Sequence, residues 1–246
     1  MKREIKRALA SLCLLSFASV ASAMTTADNA FICPIGGEQF QQTMSSSGTV
    51  RGTYLDLRPY GAIEAPWPLP QCPGNGFVMF KRNFSLQELD KLAVAIESND
   101  YVRSRQTETP YFLVAHLLAA IGADHRQQAY ALLKASWQGN DEQAPRYRAL
   151  VIEHLDQHKE PPSKPELAVV DQLVAGEMER RLGRFDAARR RFEAVKRSAA
   201  PRSEQLDRII ALQVQLIEAK DTQDHKAPAE ESTSAKPRQE PSSPKK

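Results

Sequence analysis

The sequence predicts a mainly α-helical protein, an irregular stack of helical hairpins, with a small β-rich module at its N-terminus. Three observations predict it. Capped, amphipathic segments succeed one another from residue 84 to residue 222. The stretch before them, residues 24–83, is rich in Gly, Pro, Thr and aromatic side chains, and holds Cys33 and Cys72, each opening a Cys-Pro turn. Residues 223–246 are polar, with Pro228, Pro237, Pro241 and Pro244 and no aromatic side chain. Such a tail buries too little apolar surface to offset its ordering entropy, so disorder is expected there.

Residues 1–23 have the organisation of a cleavable export signal. Lys2, Arg3, Lys6 and Arg7 precede an apolar stretch from Ala8 to Val20, and Ala21-Ser22-Ala23 places small residues where a signal peptidase reads. The apolar stretch is shorter than the roughly 20 residues of a spanning helix. Cys13 lies inside it behind Leu12, which does not fit a lipoprotein. Cleavage near Ala23 would give a periplasmic or secreted chain. It would also remove four of the 33 basic residues and one of the 30 acidic ones, leaving a formally neutral protein. No global basic field for nucleic acid remains, and no transmembrane segment is expected in the mature chain.

The helices are predicted from their ends. Ser85-Leu86-Gln87-Glu88 is a capping box, and Leu86, Leu89, Ala93 and Ile96 continue one face. Thr109-Pro110 starts a helix over Tyr111 to Ile121, which Gly122 ends. Further helices are expected near Asp124–Trp137, Ala144–Gln157, Glu166–Leu182, Arg184–Ser198 and Arg202–Lys220. The run Glu160-Pro161-Pro162-Ser163-Lys164-Pro165 separates two of them as a hinge or linker.

Gly176, Gly183, Phe185, Ala188 and Phe192 stand at the spacings of a tetratricopeptide helix pair, with Pro201 just after it. Small residues would let two helices approach and the rings would fill the space between them. No second copy follows at the period of about 34 residues. The Ala115–Trp137 pair is similar in style but out of register, so a stack of unequal, tetratricopeptide-like hairpins is expected rather than a regular superhelix.

The N-terminal module carries the most specific pattern. Cys33-Pro34-Ile35-Gly36-Gly37 is echoed by Cys72-Pro73-Gly74-Asn75-Gly76-Phe77. A zinc knuckle reads C-P-x-C-G, and two knuckles surround one metal with four thiolates. Here Gly36 and Asn75 occupy the second-ligand positions, so two sulfurs remain where three or four ligands are the rule. A metal is therefore not expected. With Cys13 removed with the signal, Cys33 and Cys72 are the one possible pair, and a disulfide is the expected outcome. It would close a loop of about 40 residues, worth roughly 3–4 kcal/mol in the chain-entropy model. No C-x-x-C is present for redox catalysis.

The doubled C-P-x-x-G pattern, the aromatic Phe77 after the second turn and the helical pair near residue 190 together resemble domain-of-unknown-function family 2225, over residues 31–200. The resemblance implies a zinc-ribbon-like head, degenerate here at Gly36 and Asn75, on a tetratricopeptide-like helical body. It implies no activity.

Between the two turns, Val50–Arg58 and Phe77–Phe80 have strand-forming composition. Trp67 and Tyr60, in a proline-rich connection, could form an aromatic recognition surface; covering a thin β core against the helices is the preferred reading. Arg180, Arg181, Arg184, Arg189, Arg190 and Arg191 form the densest charge cluster. They could meet an anionic partner, but interleaved acids, with Glu177–Arg181 and Asp186–Arg190 at i, i+4, favour a solvated helix face. His154 and His158 lie one turn apart without an acidic third ligand, and are expected to be solvated. His116, in an apolar helix, is expected in the core.

No G-x-S-x-G, P-loop or G-x-G-x-x-G occurs. No catalytic residue, metal ligand or cofactor is assigned. The domains expected are a signal at 1–23, a β-rich module at 24–83, a helical domain at 84–222 and a tail at 223–246. The function expected is a non-enzymatic module that binds or assembles another envelope protein; nothing in the sequence sets its oligomeric state. The alternative is an envelope enzyme or metal-binding protein with a site between module and helices. That alternative would require Asp56, Arg58, His116 or His154 to converge on one pocket.

Overall fold

The computed structural model describes residues 24–159, 164–198 and 203–229. The export segment 1–23, residues 160–163 of the proline-rich joint, and the chain beyond residue 229 lie outside the described residues. The described chain is mainly helical, with a two-hairpin β module at its N-terminal end.

Strands β1 (Thr25–Ile32) and β2 (Gln39–Ser47) form one antiparallel hairpin, and β3 (Thr49–Thr53) and β4 (Pro59–Ala62) form another. The strand composition of residues 50–58 resolves into β3 and a tight turn, closed by Tyr54 N–H on the Arg58 carbonyl at 2.8 Å. Phe77–Phe80 is not a strand. It makes a single bridge, Gln71 to Val78, and then turns, because Phe77 and Val78 are drawn into the helical core with no exposed surface.

The two Cys-Pro turns have the same hydrogen-bond pattern. In the first, which joins β1 to β2, Cys33 N donates to Glu38 O and Gly37 N to Cys33 O, at 2.8 and 3.1 Å. In the second, Cys72 N donates to Phe77 O and Gly76 N to Cys72 O, both at 2.9 Å. Gly36, Gly37 and Gly76 hold the left-handed φ values that close these turns. Cys33 and Cys72 form a disulfide with Cα atoms 5.7 Å apart. Asn75 donates through Nδ2 to Ile35 O at 2.8 Å and accepts from Phe77 N at 2.9 Å. An amide and a disulfide join the two turns.

Among the described residues eight helices follow: α1 (Leu86–Glu97), α2 (Asn99–Thr107), α3 (Pro110–Ile121), α4 (His125–Gln138), α5 (Gln143–Gln157), α6 (Pro165–Arg181), α7 (Phe185–Arg197) and α8 (Glu204–Glu218). Two caps are those read in the sequence, the Ser85 capping box and Thr109 with Pro110, and Asp124, read as the start of its helix, caps α4. Helix α2 was not expected, because its polar sequence has no apolar period. It is held by Ser98 at its N-cap and by the fully buried Tyr101, whose hydroxyl donates to Gly76 O at 2.9 Å. Arg105 of α2 donates to Asn75 O at 2.8 Å, so this helix clamps the second turn.

Consecutive helices from α3 to α8 pack on one another. Gly176 of α6 meets the ring of Phe192 of α7: a Cβ there would stand 2.7 Å from Phe192 Cζ. One core cluster runs from Cys33, Cys72, Phe77 and Val78 through Leu92, Leu113, Leu117 and Leu133 to Val151 and Met178. The β module and the helices α1–α6 thus share one interior. A second cluster joins Val169, Ala188, Phe192, Val195, Ile210 and Ile217 between α6, α7 and α8.

The tail expected to be disordered from residue 223 does not begin there. Residues 221–229 form a strap that returns from α8 to the module. Leu55 N donates to His225 O at 2.9 Å, and Ala227 N to Thr53 O at 2.8 Å, adding a bridge between Tyr54 and Lys226. Composition missed this because the strap is ordered by other elements' hydrogen-bonding groups rather than by its own apolar surface. Its anchor is Arg180, which is fully buried. The guanidinium binds Glu177 through Nε and Nη2 at 2.9 and 2.7 Å, Gln213 Oε1 at 3.1 Å, Asp221 O at 2.6 Å and Gln223 O at 3.0 Å.

Two stability predictions follow from these contacts. Replacing Cys33 and Cys72 by Ala should lower the unfolding free energy by about 3–4 kcal/mol, since the crosslink restricts the unfolded chain, as read by urea denaturation. Arg180→Ala leaves Glu177 charged or protonated without its partner and should cost about 3–5 kcal/mol, whereas Arg180→Met with Glu177→Leu should recover most of that loss.

Candidate functional site

The strap, the module and the helices meet around a cleft of about 400 Å³. Asp56 and Arg58 reach it from the turn after β3. Ser136 and Trp137 come from the end of α4, and Gly139, Asn140 and Asp141 from the α4–α5 loop. Arg148 comes from α5, Arg181 from the last turn of α6, and Thr222, Gln223 and Asp224 from the strap. Junctions of this kind collect residues distant in sequence and are common ligand sites.

The electrostatics are organised by Asp224. Its two carboxylate oxygens are shared, one accepting from Arg58 Nη2 at 2.5 Å and the other from Arg181 Nη1. Asp56 is buried. Its Oδ1 accepts from the Arg58 backbone N–H at 3.0 Å, and its Oδ2 lies 4.0 Å from Arg58 Nε. Arg58 also covers the Tyr54 ring at 4.4 Å. Burial pushes the Arg181 guanidinium down to about 10, and the neighbouring Arg148 adds repulsion. Burial likewise lowers Arg148, partly opposed by Asp56 and Glu177.

Three buried side-chain polar atoms among the described residues have no hydrogen-bond partner: Arg58 Nε, Trp137 Nε1 and Arg181 Nε. All three residues line this cleft. Buried polar groups in native proteins are nearly always paired, and an unpaired one costs about 1–3 kcal/mol. A larger cleft of about 600 Å³ lies beside the second Cys-Pro turn, but none of the partnerless buried atoms belongs to its lining. Gln42 bonds Leu69 O and Gln71 N, Gln71 bonds Gly76 O, and Arg105 bonds Asn75 O. The first cleft is therefore the candidate site.

The residues singled out in the sequence are dispersed. Asp56 and Arg58 enter the cleft. His116 does not: it packs edge-on against Tyr101 with ring centroids 5.6 Å apart. His154 does not either. It meets His125 of α4, Nδ1 to Nδ1 at 3.0 Å, instead of sharing a ligand with His158. Trp67 is 40% exposed, and its carbonyl accepts from Tyr111 at 2.8 Å. Tyr60 sits elsewhere, edge-on to Tyr54 and beneath Lys226 Nζ at 4.2 Å.

The arginine cluster is not one solvated face. Arg180 is buried in its network, and Arg181 serves the cleft. Arg191 ties α7 to Glu179, Gln172 and Asp156 at 2.7–3.3 Å. Arg189 stands 3.9 Å from Glu218, while Arg184 and Arg190 are exposed. The i, i+4 reading assigned Glu177 to Arg181, but Glu177 is bonded to Arg180, three residues away. Helical phase decided this, since Arg180 faces α8 and the strap. Trp137, Arg148 and Asp224 carried no sequence motif. Their only sequence signal was a polar residue beside an apolar helix end, which is too common to select them.

Among the described residues no three His, Cys, Asp or Glu side chains gather as metal ligands, and no helix is long and apolar enough to cross a membrane. No family model, curated protein or solved structure matches the chain.

The histidine contact predicts a pH dependence. Desolvation, then the neighbouring His125, lowers the His154 pKa, against a smaller opposite effect of Glu153. The folded state therefore holds fewer protons than the unfolded one, whose His titrates near 6.5. Stability from this contact should be full above about pH 6.5 and lost as pH falls through the lower folded value. The urea midpoint should decline over that window, and His154→Gln should flatten the decline.

Proposed function

We propose that the protein is an exported, non-enzymatic binding or assembly module of the cell envelope, and that it holds its ligand in the cleft between the β module and the helices. The observation that carries this reading is the coincidence of all three partnerless buried polar atoms at one junction. A fold that leaves buried donors unpaired around one cleft, and none around its neighbour, reserves them for a ligand.

Several features support the rest of the reading. A Cys33–Cys72 disulfide suits an oxidising compartment, in agreement with the export signal read at residues 1–23. The close approach of Gly176 to Phe192 supports a tetratricopeptide-like relation of α6 to α7. The matching Cys-Pro turns support a degenerate zinc-ribbon-like head, one of the features on which the resemblance to domain-of-unknown-function family 2225 rests. The alternative, an envelope enzyme with its site at this junction, draws on Asp56 and Arg58; the two histidines it would need lie elsewhere.

The test uses the mature chain in its own envelope. A photo-crosslinking residue at the exposed Asp141, which lines the cleft, should give a discrete adduct, and the same residue at the exposed Val94 on α1 should not. No adduct at position 141, or equal labelling at both, would count against the cleft. Intact mass of the purified protein should lack residues 1–23 and increase by two hydrogens on reduction.

A further inference from the structure

The partnerless buried atoms on residues that line the cleft share a chemical sign. Arg58 Nε, Arg181 Nε and Trp137 Nε1 are all N–H donors, and no partnerless buried acceptor accompanies them among the described residues. What completes such a set must bring acceptors. A metal ion or a cationic group would face the hydrogens and be repelled. Arg148 adds to the excess. Its guanidinium is half-buried in the cleft wall and makes no hydrogen bond or ion pair with the described residues, while Arg58 and Arg181 already share Asp224.

We propose that this cleft is an oxyanion site, in which Arg148 is the anchoring cation and Arg58, Arg181 and Trp137 donate further hydrogen bonds to a carboxylate or phosphate group of the ligand. The proposal rests on the reading of the cleft as the ligand site. Arginine is the side chain best suited to such groups, because its Nε–H and Nη–H edges bind two oxygens at once and the bonds are charge-assisted. The strap shows the preference within the protein itself. Asp224 already places one carboxylate between two of the arginines, using their Nη atoms and leaving both Nε–H groups without a hydrogen bond. The acids do not cancel the remaining capacity. Asp224 is committed to that bridge, Asp56 accepts from the Arg58 backbone and stands 4.0 Å from Arg58 Nε, beyond hydrogen-bond distance, and Asp141 is exposed. Arg181 is lowered first by burial and then by the neighbouring Arg148, and a bound oxyanion would oppose both effects. A volume of about 400 Å³ accommodates the anionic group together with the atoms that carry it.

The experiment compares the purified, disulfide-bonded mature protein with two variants. Arg148→Met removes the anchor and keeps the apolar stem; Trp137→Phe keeps a ring and removes one donor. Inorganic phosphate and the tripeptide Ala-Ala-Ala, with its C-terminal amide as control, are titrated by calorimetry and by thermal shift. Wild type should bind phosphate or the free peptide acid, with a Tm that rises with concentration. Arg148→Met should weaken that binding by roughly tenfold or more, as for loss of a charge-assisted bond, and Trp137→Phe by a smaller factor. The ligand-free Tm of Arg148→Met should equal or exceed that of wild type, since an unpaired half-buried cation has been removed; a structural arginine would lower it. Saturation by phosphate alone identifies a phosphate site, and saturation by the acid but not the amide identifies a carboxylate site. Absence of binding by either at about 10 mM, far above a millimolar Kd, or equal binding by Arg148→Met, overturns the assignment. If neither anion binds while crosslinking still depends on Asp141, the oxyanion chemistry is wrong and the cleft reading stands. If both fail, both are wrong.

Discussion

Arg180 holds a guanidinium where no water reaches it, and three separate parts of the chain are arranged to satisfy it. Glu177 lies on its own helix, Gln213 on α8, and the carbonyls of Asp221 and Gln223 on the strap. Gln213 also donates to Glu177 at 2.7 Å, so the network closes on itself. Burial pushes the Glu177 carboxyl up, and the hydrogen bonds from Arg180 and Gln213 oppose that. Such a network contributes little net stability over an apolar replacement, but it penalises any arrangement in which one partner is missing. Its consequence here is geometric: the chain leaving α8 must return past the end of α6.

That return builds the candidate site. Once Asp221 and Gln223 are fixed, Asp224 reaches both Arg58 and Arg181, and His225 to Ala227 pair with Thr53 to Leu55 at the end of β3. The module is held from its other side by α2, through Tyr101 and Arg105, and internally by the disulfide. It is therefore gripped at two points and shares the helical core through Phe77 and Val78. A module of this size has too little apolar material to be rigid alone. Its position is borrowed from the helices, and this places Arg58 opposite Arg148.

The contrast between the buried network and the cleft is informative. Around Arg180 nearly every donor and acceptor is used. A few ångströms further, where the same helix ends, Arg181 and its neighbours keep donors unpaired. The molecule satisfies polar groups where they fix the path of the chain, and leaves them unpaired where they face a shared cleft. Local polar frustration of this kind is a recurring mark of sites selected for binding rather than for stability.

Much of the framework was legible in the sequence because the signals are local. The Ser85 capping box, Thr109-Pro110 and Gly122 act within one turn of chain, and the structure uses each as read. The cysteine pair was legible by elimination, and the Gly176–Phe192 approach by a fixed spacing. Helix α2, the first hairpin and the strap were not legible, because what orders them lies elsewhere: Gly76 O for Tyr101, β2 for β1, Arg180 for residues 221–223. The cleft was half legible. Asp56 and Arg58 could be suspected, but Arg148, Trp137, Arg181 and Asp224 come together only through helix packing and one buried cation. By itself the sequence determined where helices begin and end and which cysteines pair, since backbone capping and covalent inventory are properties of short segments. Only the tertiary structure decided which arginines are structural and which face a cleft, since a charge takes its role from the partners that packing brings to it.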